Sequence, residues 1–287
     1  MRTKLKARPT PVRRERPRSR FGYDARWWGE SAPAAREHER RSYWSSTRRP
    51  LPCLLFVLPF LLVYEFGVLW IGGSSAEALR TGADAWLRHG LGMLGLTDQW
   101  FLPFSLVVGL LAWQAVDRRE WRVAPVSILG MAVESVVLAV ALIGLSRLVD
   151  LGFTSLERVH APAHAPPSTL AIGSAHPIAP LIGFLGAGVY EEALFRLTLV
   201  PLFFGLLRLL QTPTVLASSL AVTAASLLFS LAHHAGTPGE AFTWFVFIFR
   251  WLAGVYFAWV FVVRGFGVAV GTHTAYDVLV GWLGWHL

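Results

Sequence analysis

The chain has 287 residues, 54% of them hydrophobic and 15% charged, with a mean hydropathy of +0.48, a balance that excludes an ordinary water-soluble domain. Its one Cys, Cys53, excludes an internal disulfide and any Cys-based metal or redox motif. The net charge of +8 arises in residues 1–50, which carry 15 Lys/Arg against 5 Asp/Glu, so it marks a basic tail beside a membrane, drawn to anionic lipid headgroups, and no nucleic-acid surface.

About 50 polar residues precede the first apolar run, too many for a cleaved signal peptide, so that run is an anchor. The pattern predicts an all-α polytopic bundle of seven or eight transmembrane spans, each needing about 20 apolar residues. In chain order they are 51–71, 100–116, 123–149, 178–210, 215–232, 242–263 and 266–285. Residues 77–96 space apolar against charged side chains like a helix lying on the membrane surface. Residues 150–177 read as a polar, Pro- and Ala-rich loop, and Pro201 is a candidate break that would divide the fourth span. Three regions follow: a disordered tail at 1–50, N-terminal helices at 51–150 and a C-terminal transmembrane unit at 178–287. With seven spans, the Arg clusters at the tail, 117–122, Arg208 and Arg264 alternate correctly for a cytoplasmic N-terminus in the inner membrane.

Ionisable groups within apolar spans are costly and mark candidate sites. Three clusters stand out. In Glu191-Glu192-Ala193-Leu194-Phe195-Arg196 the second Glu and the Arg are four apart and can pair, leaving Glu191, rotated by about 100°, to face a cavity. Phe229 and His233 share one helix face, as do His273 and Asp277. Each cluster alone is also explained as packing glue, an interhelical hydrogen bond or a local cap; together they offer a set able to activate water and stabilise an oxyanion.

Glu-Glu-x-x-x-Arg, Phe-x-x-x-His and His-x-x-x-Asn/Asp, in that order on successive membrane helices, resemble the three motifs of the CAAX-protease and bacteriocin-processing family. The resemblance covers Glu191 to Asp277, 87 residues. It implies a glutamate- or metal-dependent intramembrane endopeptidase acting on a membrane-anchored or lipidated protein near its C-terminus. Glu191 would activate water with support from Glu192 and Arg196; His233 and His273 would polarise the oxyanion; Asp277 stands where the family has Asn or Asp. A divalent metal such as zinc, if used, would fall to Glu191, His233, His273 and Asp277, and a metal-free mechanism fits the same residues. The myxosortases, bacterial relatives, resemble processors of C-terminal sorting signals, and bacteriocin maturation or immunity is another family role.

Absent signatures bear on other intramembrane proteases: without His-Glu-x-x-His a site-2 zinc enzyme is excluded, without Gly-x-Ser-Gly a rhomboid type is disfavoured, and Tyr276-Asp277 lacks the Gly-x-Gly-Asp partner of presenilin types. His160, His164 and His176 fit no fixed metal spacing. Glu65 and Glu134 read as pairing groups, and Gly267 and Gly271 as a close-packing face. The alternative from another class is a non-enzymatic membrane protein, either a proton-coupled transporter or a scaffold or immunity protein, although no inverted repeat supports a transporter.

Overall fold

A computed structural model describes residues 43–118, 120–157, 176–235, 241–282 and 284. Most of the basic tail, and the loop that holds His160 and His164, lie outside them. Among the described residues the chain is helical without strands, as apolar sequence in lipid requires: only a helix satisfies its own backbone there. A turn at Tyr43–Ser46 leads to α1 (Pro50–Gly72), and a tight 3-10 stretch (Gly73–Leu79) to α2 (Gly82–Met93). Then come α3 (Phe101–Asp117), α4 (Pro125–Glu157) and α5 (Ala179–Glu192), which runs through a π-helical stretch (Ala193–Leu199) into α6 (Val200–Leu209). The chain finishes with α7 (Thr214–Ala232), α8 (Trp244–Arg264) and α9 (Phe266–Asp277), the last extended by a second π-helical stretch (Val278–Trp282).

Four of these, at Pro50–Gly72, Pro125–Ser155, Thr214–Ala232 and Trp244–Arg264, are long and apolar enough to cross a membrane, and Phe101–Asp117 is a shorter apolar helix. Their outward side chains, among them Val133, Val137, Phe104, Val108, Leu216 and Leu220, are exposed and apolar, which is what a lipid-facing surface requires. The protein is therefore a helical membrane bundle.

The helices alternate in direction. Gly67 meets Ile182 and Tyr64 meets Gly186, so α1 and α5 are antiparallel; Ser226 meets Gly254 and Ser230 bonds the Phe247 carbonyl, so α7 and α8 are too. In contrast, α9 runs parallel to α1 and α4: Gly267 lies against Cys53 and Met131, and Gly271 against Phe56 and Ser135. One end of the bundle thus holds Pro50, Asp117, Pro125, Thr214 and Arg264, and the other Gly72, Phe101, Ala179, Ala232 and Trp244. These are called below the Pro50 end and the Gly72 end.

Small residues set the spacing, as expected where lipid offers no hydrophobic drive for helix association. Ala217, Ala221 and Ala225 form a buried stripe on α7. A Cβ at Gly267 would come within 2.6 Å of Met131 Cε and one at Gly271 within 2.4 Å of Ser135 Oγ, so the predicted glycine face is a real close contact. Polar links join the helices: Tyr256 donates to the Leu138 carbonyl at 2.8 Å and Ser230 to that of Phe247 at 2.7 Å. Glu134 pairs with Arg264 and accepts from Tyr43 at 2.6 Å, the pairing role expected of it.

Two sequence expectations need correction, and the alternative left open at Pro201 is resolved. The predicted surface helix is seated in the bundle: Ala83 and Asp84 of α2 are buried, with Asp84 bonded to Tyr64 at 2.8 Å, to Arg80 at 2.9 Å and to Arg88 at 2.6 Å. Its charged face is turned inward because Glu65 of α1 supplies a second carboxylate for the same two guanidiniums, at 3.3 Å from Arg80 and 2.9 Å from Arg88. Of the predicted loop 150–177, residues 150–157 are helical and belong to α4, which runs to Glu157. At Pro201 the chain does not turn back. That proline sits in the first turn of α6, and the wider π turn before it absorbs the missing N–H and the ring, so residues 179–209 form one lengthwise run.

Candidate active site

Glu191 and Glu192 end the regular part of α5, and successive residues on a helix point about 100° apart. Glu192 is wholly buried: its Oε1 lies 3.1 Å from Arg196 Nη1 and accepts from His273 Nδ1 at 2.8 Å. Arg196 is also buried, donates to the Gly254 carbonyl at 3.2 Å and lies 4.3 Å from the centre of the Phe229 ring. An ion pair of this kind survives away from water only when hydrogen bonds and ring faces supplement the Coulomb attraction. The pair expected from the sequence is present, and it carries His273 as a third member.

Glu191 faces the other way, into a partly open space. Its Oε2 lies 3.7 Å from His233 Nε2 and 3.8 Å from His273 Nε2, and makes no hydrogen bond with the described residues. These gaps exceed a direct hydrogen bond and suit one oxygen atom shared between the three groups. Asp277 Oδ2 lies 3.6 Å from His273 Nε2. All six motif residues therefore meet, although they come from three helices.

The histidine tautomers follow from their partners. His233 caps the end of α7, and its Nδ1 lies 2.8 Å from the Phe229 carbonyl, which only accepts, so Nδ1 carries the proton. His273 Nδ1 likewise donates to Glu192. Both Nε2 atoms are thereby aimed at Glu191. The His273 ring is held flat by Phe257, stacked at 4.6 Å with 14° between planes, and edge-on by Phe229 at 6.0 Å.

No group of three or more His, Cys, Asp or Glu side chains among the described residues is arranged to hold a metal ion. The four residues expected to hold a metal, Glu191, His233, His273 and Asp277, are those whose side-chain tips meet here. His234 turns away and packs against Phe242 and Phe247. His176 packs edge-on against Trp70.

Sequence reasoning gave no role to four neighbours. Arg250 lies on the same stripe of α8 as Gly254 and Phe257, close enough for its charge to act on Glu191 and His233. Tyr190 donates to Glu65, tying the residue before Glu191 to the Glu65–Arg80–Arg88–Asp84 network. Phe257 orients His273. Gly188 lets α5 approach α9, since a Cβ there would fall 2.1 Å from Thr274 Oγ1. Only Arg250 left a sequence signal, as a charge inside an apolar helix.

Residues 173–279 match the family model described as "Type II CAAX prenyl endopeptidase Rce1-like". No curated protein and no solved structure matches the chain. The matched stretch, just over a third of the chain, holds all three motifs and the helices that bring them together, and the match is consistent with a CAAX-protease-like domain over residues 173–279.

Proposed function

We propose that the chain is an intramembrane endopeptidase in which Glu191 activates water for attack on a peptide bond of a membrane-anchored or lipidated protein, near that protein's C-terminus. The observation that carries this reading is Glu191 Oε2 standing 3.7 and 3.8 Å from the Nε2 atoms of two histidines whose Nδ1 protons are already committed.

In this reading, water donates one hydrogen to Glu191 Oε2 and the other to His233 Nε2. Glu191 removes its proton as the oxygen attacks the carbonyl carbon, giving a tetrahedral oxyanion. His273 in its doubly protonated form donates Nε2–H to that oxyanion, while Glu192 and Asp277 hold the ring from either side. The proton on Glu191 passes to the departing amine nitrogen as the C–N bond breaks, which restores the carboxylate. Glu192 and Arg196 touch no reacting atom; they fix His273.

The test compares wild type with Glu191→Gln at equal protein level, reading membrane-protein termini in cells and peptide cleavage by purified enzyme. Loss of about 10²–10⁴-fold in turnover with an unchanged melting temperature supports the general base. Unchanged processing, with a phenotype that only whole-gene deletion produces, would turn the reading to a scaffold or transporter. Turnover should survive a chelator. Loss that zinc reverses would instead make this a metal-dependent endopeptidase, with the two Nε2 atoms as donors.

A further inference from the structure

The site is not centred in the bundle. His233 is the first residue beyond α7 at its Gly72 end, Asp277 closes the regular part of α9 at that same end, and Arg250 is six residues into α8 from it. Toward the Pro50 end the site is closed. Phe195, Phe229, Phe257 and Val270 lie on that side, each no more than 3% exposed, with the buried Glu192–Arg196 pair among them. Toward the Gly72 end the described side chains are partly open: Glu191, His233 and Asp277 are 14, 16 and 17% exposed, and Arg250 and Tyr276 are half-buried.

The two ends also differ in fixed positive charge. In the sequence flanking the helix termini of the Pro50 end, residues 31–49 hold five Arg and residues 117–124 three; with Arg208 and Arg264 these make ten. In the sequence at or within ten residues of the helix termini at the Gly72 end, the Lys/Arg residues are Arg80, Arg88, Arg147, Arg158 and Arg250, five in all. Arg80 and Arg88 at the one end are held in ion pairs by Glu65 and Asp84, and Arg264 at the other by Glu134. Short segments rich in Lys/Arg stay in the cytoplasm.

From these two asymmetries we infer that the catalytic cavity opens to the extracytoplasmic face, and that the substrates are membrane-anchored proteins whose scissile segment has been exported. This rests on the protease reading for the word substrate, but the orientation stands apart from it. A protein lipidated and anchored on the cytoplasmic leaflet would meet the Phe-lined, closed side of the site.

Ala241, at the Gly72 end, and Trp121, at the Pro50 end, are both exposed, whereas native Cys53 is buried and serves as the blank. Ala241→Cys and Trp121→Cys are each treated in intact cells with a membrane-impermeant maleimide. Labelling of the Ala241→Cys protein, with the Trp121→Cys protein labelled only after permeabilisation, is the expected result. The reverse pattern overturns the inference and leaves the chemistry of Glu191 untouched. In the same cells, precursors that accumulate with Glu191→Gln should lose their uncleaved segments to an externally added protease; segments that become sensitive only after permeabilisation overturn it as well. If the labelling is as expected and no precursor accumulates, the protease reading fails while the orientation holds.

Discussion

His273 Nδ1 donates to Glu192 Oε1 at 2.8 Å, a bond that joins α9 to α5 across 81 residues of sequence. The same Glu192 oxygen lies 3.1 Å from Arg196, so one buried carboxylate both neutralises a guanidinium and fixes the ring that faces Glu191. Arg196→Ala should therefore cost stability more than chemistry alone would explain. Removing one member of a buried pair costs about 3–5 kcal/mol, read as a lower melting temperature in detergent. Glu192→Gln keeps the shape but not the charge. It should lower kcat with little change in KM, because the affected group acts on the transition state.

Phe257 lies face to face with His273 at 4.6 Å, and replacing it frees the ring on that side. Phe257→Leu preserves apolar bulk. It should reduce kcat by about 10–100-fold, the scale of a misplaced or unsupported group at a reacting centre, while the fold persists. Equal activity of the variant and wild type would remove Phe257 from any positioning role.

At Gly188 the cost is steric. An added Cβ would lie 2.1 Å from Thr274 Oγ1 and 3.1 Å from the Val270 carbonyl, so Gly188→Ala must push α9 away from α5. Overpacking of this kind costs about 1–3 kcal/mol. The separation of Glu192 and His273 should fail with it, giving loss of turnover beyond the loss of stability. Adding Thr274→Ala removes the closer clash, and the double variant should recover part of both.

Much of this was legible in the residues. Apolar run lengths gave the helix positions, and the i, i+4 spacings of Glu192/Arg196 and His273/Asp277 gave correct local contacts, because helical periodicity alone dictates them. The inward turn of α2 was not legible. Arg80, Asp84 and Arg88 have the spacing of a solvated face, and only the arrival of Glu65 from another helix makes burial of that face favourable. Phe257 and Gly188 escaped for a similar reason: a Phe or a Gly in a membrane helix is unremarkable until the partner helix is known.

Glu65 joins Arg80, Arg88 and Tyr190 and so links α1, the α1–α2 connection and the residue next to Glu191. Glu65→Ala strips a carboxylate from two guanidiniums. It should lower the melting temperature by an amount corresponding to about 3–5 kcal/mol. Glu65→Gln retains an acceptor for Tyr190 and should lose less. A thermal scan of both variants beside wild type checks the order.

The π-helical stretch Ala193–Leu199, where Thr198 Oγ1 bonds the Ala193 carbonyl at 2.8 Å, sets the angular phase between the carboxylate pair and the α6 anchor. Excising one residue there would restore ordinary α geometry and rotate Glu191 and Glu192 by roughly 100° relative to Val200–Leu209. A sequence could then keep every motif letter and still present its carboxylates to lipid. The length of the insert, as well as its composition, separates a competent chain from a silent look-alike.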